Sequence, residues 1–180
     1  MASLFGHAFI AIALGKSFSR KQRTWKLIIL AVVAAIIPDA DVIGFQFGIS
    51  YGGFWGHRGV THSFLFAFFF AILVTFLFYR KQFLTKKGIL LILFFFLCTA
   101  SHSILDAMTT GGYGVAFFSP FNDTRYFFPW RPIKVSPLGI LRFFSERGLQ
   151  VIRSEIGWIG LPGIVYMITA FIIRRNVNKI

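Results

Sequence analysis

Residues 56–79 read GHRGVTHSFLFAFFFAILVTFLFY, which places two histidines at the start of a long apolar run. His57 and His62 lie five residues apart, and phenylalanine, leucine, valine and alanine fill the run from Ser63 to Tyr79. Such a run predicts a helix in lipid, where every backbone polar group must be satisfied within the segment. Ionisable side chains at that depth are costly and normally serve a function. The stretch therefore predicts both a membrane helix and a functional site at its start.

The composition places the rest of the chain in lipid as well. Of its 180 residues, 56% are hydrophobic and 14% are charged, whereas about 25% of the residues in soluble domains are charged. Its 25 phenylalanines exceed what one small water-soluble core could bury. The net charge of +13 could suggest nucleic acid, but the basic residues lie in short groups between apolar runs, as membrane anchors do. We therefore expect membrane lipids, and no nucleic acid, as partners.

Five apolar segments predict the fold. They are residues 3–15, 26–37, 63–79, 88–106 and 156–173, the last interrupted by Pro162. We expect an all-α, polytopic helical membrane protein with about five hydrophobic helices, in a single domain over residues 1–180. The polar stretch between the last two segments is expected to lie on the outer face, with an amphipathic helix over residues 138–153.

The distribution of charge predicts the orientation. If the segments alternate in direction, all six acidic residues fall on one side and twelve of the nineteen basic residues on the other. The twelve are Lys16, Arg20, Lys21, Arg23, Lys26, Arg80, Lys81, Lys86, Lys87, Arg174, Arg175 and Lys179. The basic side is cytoplasmic by the positive-inside rule. We expect the N-terminus outside and the C-terminus in the cytoplasm.

Seven potential metal ligands then fall on the outer side. They are His7, Asp39, Asp41, His57, His62, His102 and Asp106. A helix from Lys87 to His102 rises about 22 Å at ~1.5 Å per residue, less than a hydrocarbon core of ~30 Å. The sequence therefore predicts a metal site at the depth of the outer leaflet, which suits a lipid-linked substrate.

Two motifs provide the carboxylates of this site. His102 and Asp106 lie at positions i and i+4 of one helix face, so both can reach one cation, or Asp106 can orient His102. Asp39 and Asp41 follow Pro38 and can share metal ions, or one of them can act as general base. The alternatives are a structural hydrogen bond for the first pair and helix capping for the second.

The remaining candidates have two interpretations each. Arg58 is expected to hold an anionic substrate, since guanidinium suits phosphate oxygens, and the alternative is a salt bridge to Asp39 or Asp41. His7 is a ligand or a hydrogen-bonded packing residue, and Thr61 could cap the third segment. Asp39, Asp41 and Arg58 are thus the expected catalytic residues.

Two arginines of the outer stretch have a structural and a functional interpretation. Arg125 and Arg131 lie among aromatic residues, and we favour an interfacial aromatic belt for this stretch. The alternative is a lid over the metal in which both guanidinium groups face phosphate.

The ligand types restrict the metal. Histidine and aspartate without thiolate favour a divalent zinc, manganese or iron ion. We expect zinc first, with manganese or iron as alternatives.

Together these motifs resemble those of the YdjM-like family of bacterial inner-membrane proteins, which are described as metal-dependent hydrolases. The resemblance covers residues 3–122. It rests on His7, Pro38-Asp39-Ala40-Asp41, His57-Arg-Gly-Val-Thr-His62-Ser63, His102-Ser-Ile-Leu-Asp106, Gly112-Tyr113-Gly114 and Ser119-Pro120-Phe121. It implies a divalent metal, hydrolytic chemistry and a location in the bacterial inner membrane. The HxxxD element is also similar to zinc-dependent phospholipase C, which indicates phosphoester substrates.

The sequence thus predicts a membrane-bound metal-dependent hydrolase that acts on a phospholipid or another lipid-linked phosphoester. One alternative is an ion- or proton-coupled transporter that uses the same cluster. It would need a second access route on the cytoplasmic side, where segments two to five carry no further ionisable residue. The other alternative is a non-catalytic scaffold that the metal stabilises.

Overall fold

The computed structural model describes residues 1–19, 22–137 and 143–177. Arg20, Lys21 and Lys179 of the predicted basic side, and residues 138–142 of the predicted amphipathic helix, lie outside the described residues. The described chain contains six α-helices: α1 (Leu4–Gly15), α2 (Trp25–Ile36), α3 (Phe64–Phe78), α4 (Lys86–Ala107), α5 (Glu146–Glu155) and α6 (Leu161–Val177). The prediction of an all-α fold is confirmed.

Hydroxyl side chains begin the first four helices. Ser3, Thr24, Ser63 and Thr85 each accept a hydrogen bond from the backbone N–H three residues later. Each bond satisfies one of the four N–H groups that a helix start leaves free. The expectation that Thr61 caps α3 was wrong, because Ser63 occupies that position.

A 3₁₀ helix, Ile37–Phe47, extends α2 directly. Pro38 lies in its first turn, where a missing N–H breaks no intrahelical bond. Asp39 and Asp41 therefore lie on a tight helix that continues α2. Together α2 and this helix form an apolar run of 23 residues, Trp25–Phe47.

Three helical runs are long and apolar enough to cross a membrane: Trp25–Phe47, Lys86–Ala107 and Glu146–Asn176. The other two predicted segments are present but shorter. α1 has 12 residues and α3 has 15, which correspond to about 18 and 22 Å. The five predicted hydrophobic helices are thus all observed, but two of them are shorter than a ~30 Å hydrocarbon core.

The last run begins ten residues earlier than predicted. α5 passes through one π-helical turn, Ile156–Gly160, directly into α6. Pro162 does not interrupt the run, because the π turn has already broken the regular i to i−4 hydrogen bonding on its N-terminal side. The predicted surface helix, over its described part, is therefore the start of the last membrane segment.

The helices alternate in direction, and each end of the bundle has its own chemistry. At one end Lys26 of α2 lies 4.8 Å from the ring centroid of Tyr79, just after α3, and Arg174 of α6 donates to the Phe18 carbonyl. Between the ends, apolar residues of α2, α3 and α4 form the core, with Cys98 fully buried among them. The opposite end carries the predicted ligands.

Candidate metal centre

Helix ends bring all seven predicted ligands to one end of the bundle. α1 carries His7 and α4 carries His102 and Asp106, whereas Asp39 and Asp41 lie on the 3₁₀ helix that follows α2. His57 and His62 precede α3, with His62 on a short 3₁₀ turn, Val60–His62. The convergence follows from the alternation of the helices.

Four of these residues surround one point. Asp39, His62, His102 and Asp106 are buried, and each offers one ligand atom within 4.8 Å of the other three. The Nε2 atoms of His62 and His102 lie 3.1 Å apart, and Asp39 Oδ1 lies 3.7 and 3.3 Å from them. Asp106 Oδ2 lies 3.8 and 4.0 Å from the same two nitrogens. Donor atoms around a tetrahedral zinc ion are about 3.3 Å apart, so the four residues fit a single small cation.

Hydrogen bonds behind the two histidines orient their rings toward this point. His102 Nδ1 donates to the Ala35 carbonyl at 2.7 Å, which leaves its Nε2 lone pair facing the cluster. His62 Nδ1 lies 3.2 Å from Asp41 Oδ2. Two Nε2 atoms at 3.1 Å cannot present only lone pairs to each other, so a proton or a cation must lie between them.

The protein groups alone would supply a proton. Burial lowers the pKa of His62, but the neighbouring carboxylates of Asp39 and Asp41 outweigh burial and raise it to about 9. A metal ion at this point would displace that proton. Among the described residues, Asp39 Oδ1 has no hydrogen-bond partner although it is buried and faces both imidazoles. A buried carboxylate oxygen is costly unless it is paired or bound to an ion.

Asp41 lies behind the histidines and is fully engaged there. Its Oδ1 lies 2.8 Å from His57 Nδ1, and its Oδ2 accepts from the Thr61 hydroxyl at 2.7 Å and the Arg58 backbone N–H at 3.2 Å. With His57 and His62 it forms a second group of three donors that could hold an ion. Burial lowers the pKa of His57 although Asp41 opposes the shift, so its imidazole is neutral at neutral pH.

His7 lies beside the four-residue group and not within it. Its ring stacks on His102 with centroids 3.7 Å apart, and its Nε2 lies 3.5 Å from Asp106 Oδ1. Neither group of converging donors includes it. Ligation by His7 stays a prediction, and the observed contacts place it beside two candidate ligands, His102 and Asp106.

Arg58 is completely buried and pairs with Asp106. Its Nε lies 3.0 Å from Asp106 Oδ2, and its two terminal nitrogens donate to the Gly111 carbonyl and the Thr109 hydroxyl. The alternative interpretation of Arg58, a salt bridge to Asp39 or Asp41, was therefore wrong, because the partner is Asp106. Its backbone is left-handed, with φ of 65°, a conformation that non-glycine residues rarely adopt. Substrate binding by Arg58 stays a prediction, but protein groups already occupy its guanidinium.

Arg125 holds the loop that carries His57. Its guanidinium donates to the backbone carbonyls of Tyr51, Gly53 and His57. These three hydrogen bonds stabilise the loop. Arg131 lies 4.7 Å from the ring centroid of Phe127. These contacts favour the aromatic belt over the lid.

The sequence pattern did not identify Glu155 as a neighbour of the centre. Both oxygens of Glu155 accept from Ser3, one from its backbone N–H and one from its hydroxyl. The adjacent Ala2 N–H donates to Asp106 Oδ1 at 2.6 Å. The start of the chain thus ties the last membrane run to a candidate ligand. Glu155 would have stood out as a carboxylate within a long apolar run if the predicted surface helix and the last apolar segment had been predicted as one helix.

Two cavities flank the centre. The more polar of the two, the polar cavity, has a volume of about 360 Å³ and is lined by Met1, Tyr51, His57, Gly111, Gly112, Val135, Ser136, Pro137 and Arg147. An apolar groove of about 540 Å³ separates α1 from the α5–α6 run, with Phe5, Phe9 and Ile159 among its walls. Of the candidate ligands, only His57 is part of the described lining of either cavity.

Comparisons with known proteins agree with a membrane protein. The family model described as "YdjM inner membrane protein" matches residues 1–178. The chain is 40% identical over 168 residues to a protein of Escherichia coli (strain K12) described as "Inner membrane protein YbcI", and the alignment covers 93% of this chain and 95% of that protein. No solved structure matches the chain.

Proposed function

The chain belongs to the YdjM inner membrane protein family, and we propose that it is a membrane-bound hydrolase that uses a divalent metal ion. Asp39, His62, His102 and Asp106 hold the ion. The observation that carries the proposal is the 3.1 Å separation of two imidazole Nε2 atoms whose rings are fixed from behind. Imidazole with carboxylate and no thiolate suits zinc first, with manganese and iron as alternatives.

The chemistry is hydrolysis of a phosphoester. When bound, such an ion lowers the pKa of a coordinated water and polarises a phosphoryl oxygen. We assign to His57 the role of accepting the proton of the attacking water, because burial favours its neutral form and Asp41 orients its ring from 2.8 Å. Asp41 acts through His57 and His62, since both of its oxygens are engaged by protein groups.

A second ion is the alternative use of His57 and Asp41. The group of Asp41, His57 and His62 has its ligand atoms within 4.8 Å of one another, as the first group has. Two-metal hydrolases clamp a phosphoryl group between ions about 4 Å apart. The number of ions per chain separates the two arrangements.

The substrate is a phospholipid or another lipid-linked phosphoester in the outer leaflet. Two apolar runs long enough to span a bilayer carry Asp39, His102 and Asp106, and an apolar groove lies between α1 and the third run. The positive-inside rule puts the basic end in the cytoplasm and the centre outside. A soluble anionic ester has no hydrocarbon chain, so it would use the polar cavity and leave the apolar groove without a role.

The transporter alternative receives less support from the packing. A transported ion would have to pass from the centre to the basic end, and the described core along that path consists mainly of apolar side chains of α1, α2, α3 and α4. The buried hydroxyls of Thr75 and Thr99 donate to carbonyls of their own helices. Conducting paths in membranes are normally lined by polar or ionisable groups.

The proposed function is tested with the protein purified in a non-ionic detergent. Bound metals are quantified by mass spectrometry, and release of phosphate or head group is assayed on a panel of lipids. His62→Ala and Asp106→Asn should lose metal and turnover, whereas Glu146→Ala, which removes an exposed carboxylate, should keep both. A protein that binds no divalent metal would refute the central claim. If the protein binds metal but shows no turnover that is lost in His62→Ala and Asp106→Asn, the alternative of a non-catalytic, metal-stabilised scaffold is favoured.

A further inference from the structure

The described lining of the polar cavity contains one guanidinium, that of Arg147, and no carboxylate. His57, which belongs to the second group of candidate ligands, lines the same cavity. Two carboxylates lie behind the lining residues: Asp41, which is 1% exposed and paired with His57, and Asp106, whose Oδ2 lies 4.0 Å from the Met1 amino group.

Arg147 differs from the other two arginines near the centre. Protein groups occupy the guanidinium of Arg58 and that of Arg125. Arg147 is exposed on α5, and no hydrogen bond or ion pair joins its side chain to another described residue. An unpaired guanidinium at the mouth of a cavity is free to take a phosphate, which matches its planar geometry.

Gly112 contributes its backbone to the wall of the cavity. Its φ is +94°, and a Cβ there would lie 2.7 Å from a terminal nitrogen of Arg58 and 2.9 Å from the Tyr51 hydroxyl. The wall at Gly112 is therefore packed closely against the buried Arg58, so a side chain at this position would displace Arg58 or Tyr51. A cavity of about 360 Å³ is at the small end of the range for ligand pockets.

We propose that Arg147 is the specificity-determining residue of this pocket and binds the anionic phosphate of the substrate next to His57. The inference rests on the proposed function for the substrate's place at the centre. It adds the recognition step: a phosphorylated head group is selected over an uncharged one by a cation that α5 supplies. The same chemistry would recognise a lipid head group or a free phosphomonoester.

Equilibrium binding tests the inference without relying on turnover. Affinities of glycerol 3-phosphate and of phosphatidate in detergent micelles are measured by calorimetry, with glycerol and diacylglycerol as uncharged controls. The proteins are wild type, Arg147→Gln, Arg147→Lys and Arg153→Gln, the last a matched change at an exposed arginine of α5 outside the cavity. Arg147→Gln should bind the phosphorylated probes about ten- to hundredfold more weakly than wild type.

The control variants and probes distinguish a specific phosphate contact of Arg147 from other effects on binding. Arg153→Gln should bind like wild type, and Arg147→Lys should fall in between, because it keeps the charge and loses the fork geometry. Binding of phosphatidate but not glycerol 3-phosphate assigns the pocket to lipid, and the reverse assigns it to a soluble ester. Equal affinities of Arg147→Gln and Arg153→Gln, or no binding by wild type, would overturn the inference. If Arg147→Gln binds the phosphorylated probes more weakly than Arg153→Gln but the wild-type protein hydrolyses none of the lipids, the phosphate-binding pocket is supported and the proposed hydrolase function is refuted.

Discussion

Asp41 shows how one carboxylate can hold two candidate ligands in place. It contacts His57 and His62 through different oxygens while the Thr61 hydroxyl and the Arg58 N–H hold it in place. A carboxylate behind a metal-binding histidine raises the basicity of the ligand and fixes its ring. Its contribution should therefore appear in metal affinity and not only in turnover.

We expect Asp41→Asn to weaken metal binding about ten- to hundredfold. The amide retains an oxygen for Thr61 and Arg58 but loses the charge that supports His62. Competition with a chromogenic chelator measures the affinity. Asp123→Asn, an exposed aspartate on the same side of the chain, is the control. An Asp41→Asn protein that binds metal as tightly as this control would show that Asp41 does not support the ligand.

Gly112 and Gly48 form a matched pair for testing the close packing under the polar cavity. Both have positive φ, +94° and +76°, but a Cβ at Gly48 would meet no atom within 4 Å. Gly48→Ala should cost about 1–2 kcal/mol of stability through its left-handed backbone alone. Gly112→Ala should cost about 1–3 kcal/mol more, because its methyl group would overlap Arg58 and Tyr51. Thermal unfolding in detergent compares them, and equal losses would contradict the observed packing.

The ionisable residues of the site could be predicted from the sequence, but the contacts that each of them makes could not. Ionisable side chains in an apolar chain are conspicuous, and helix alternation is enough to collect His62, His102, Asp39 and Asp106 at one end. Whether Arg58 pairs with Asp106 or with Asp41 depends on distances of a few ångströms between segments far apart in sequence. No spacing rule supplies those distances.

At the level of elements, the last run shows where sequence patterns mislead. Arg153 and Glu155 are polar enough to indicate a boundary, and Pro162 indicates an interruption. The chain nevertheless continues as one helical run of 31 residues, because a π turn precedes the proline and Ser3 satisfies the Glu155 carboxylate. Both compensations are tertiary or local-geometry effects that hydropathy does not report. The apolar cores of all five segments, in contrast, were predictable from composition alone.

The contact between Ser3 and Glu155 should contribute measurably to the docking of the last run on α1. Glu155→Ala leaves two donors of Ser3 without their carboxylate, so we expect a loss of about 1–3 kcal/mol per unsatisfied group. Glu146→Ala, at the exposed start of the same helix, should cost less than about 0.5 kcal/mol. Thermal unfolding in detergent measures both variants. Similar stabilities would indicate that the contact does not hold the two helices together.

For the whole molecule, metal binding should be linked to folding, because the ligands come from three separate parts of the chain. At a free metal concentration a thousand times its dissociation constant, an ion that binds only the folded state adds about 4 kcal/mol. Treatment with a chelator should therefore lower the unfolding temperature, and added zinc should restore it. His62→Ala should show no such response. A chelator effect of equal size in this variant would place the stabilising ion elsewhere.

The orientation in the membrane is a second property of the whole chain, and it can be measured directly. In a Cys98→Ala background, Asn122→Cys lies toward the ligand end and Lys81→Cys toward the basic end. By the positive-inside rule, a membrane-impermeant maleimide added to spheroplasts should label Asn122→Cys and should reach Lys81→Cys only after lysis. The opposite labelling would place the centre on the cytoplasmic side.

The two short helices affect the bilayer as well as the protein. α1 and α3, with 12 and 15 residues, both adjoin the centre. A hydrophobic segment shorter than the surrounding membrane is accommodated by local thinning. Thinning draws the head groups of neighbouring lipids inward, toward the depth of the buried ligands. A lipid substrate would then reach the ion by lateral diffusion within its own leaflet, without being extracted into water.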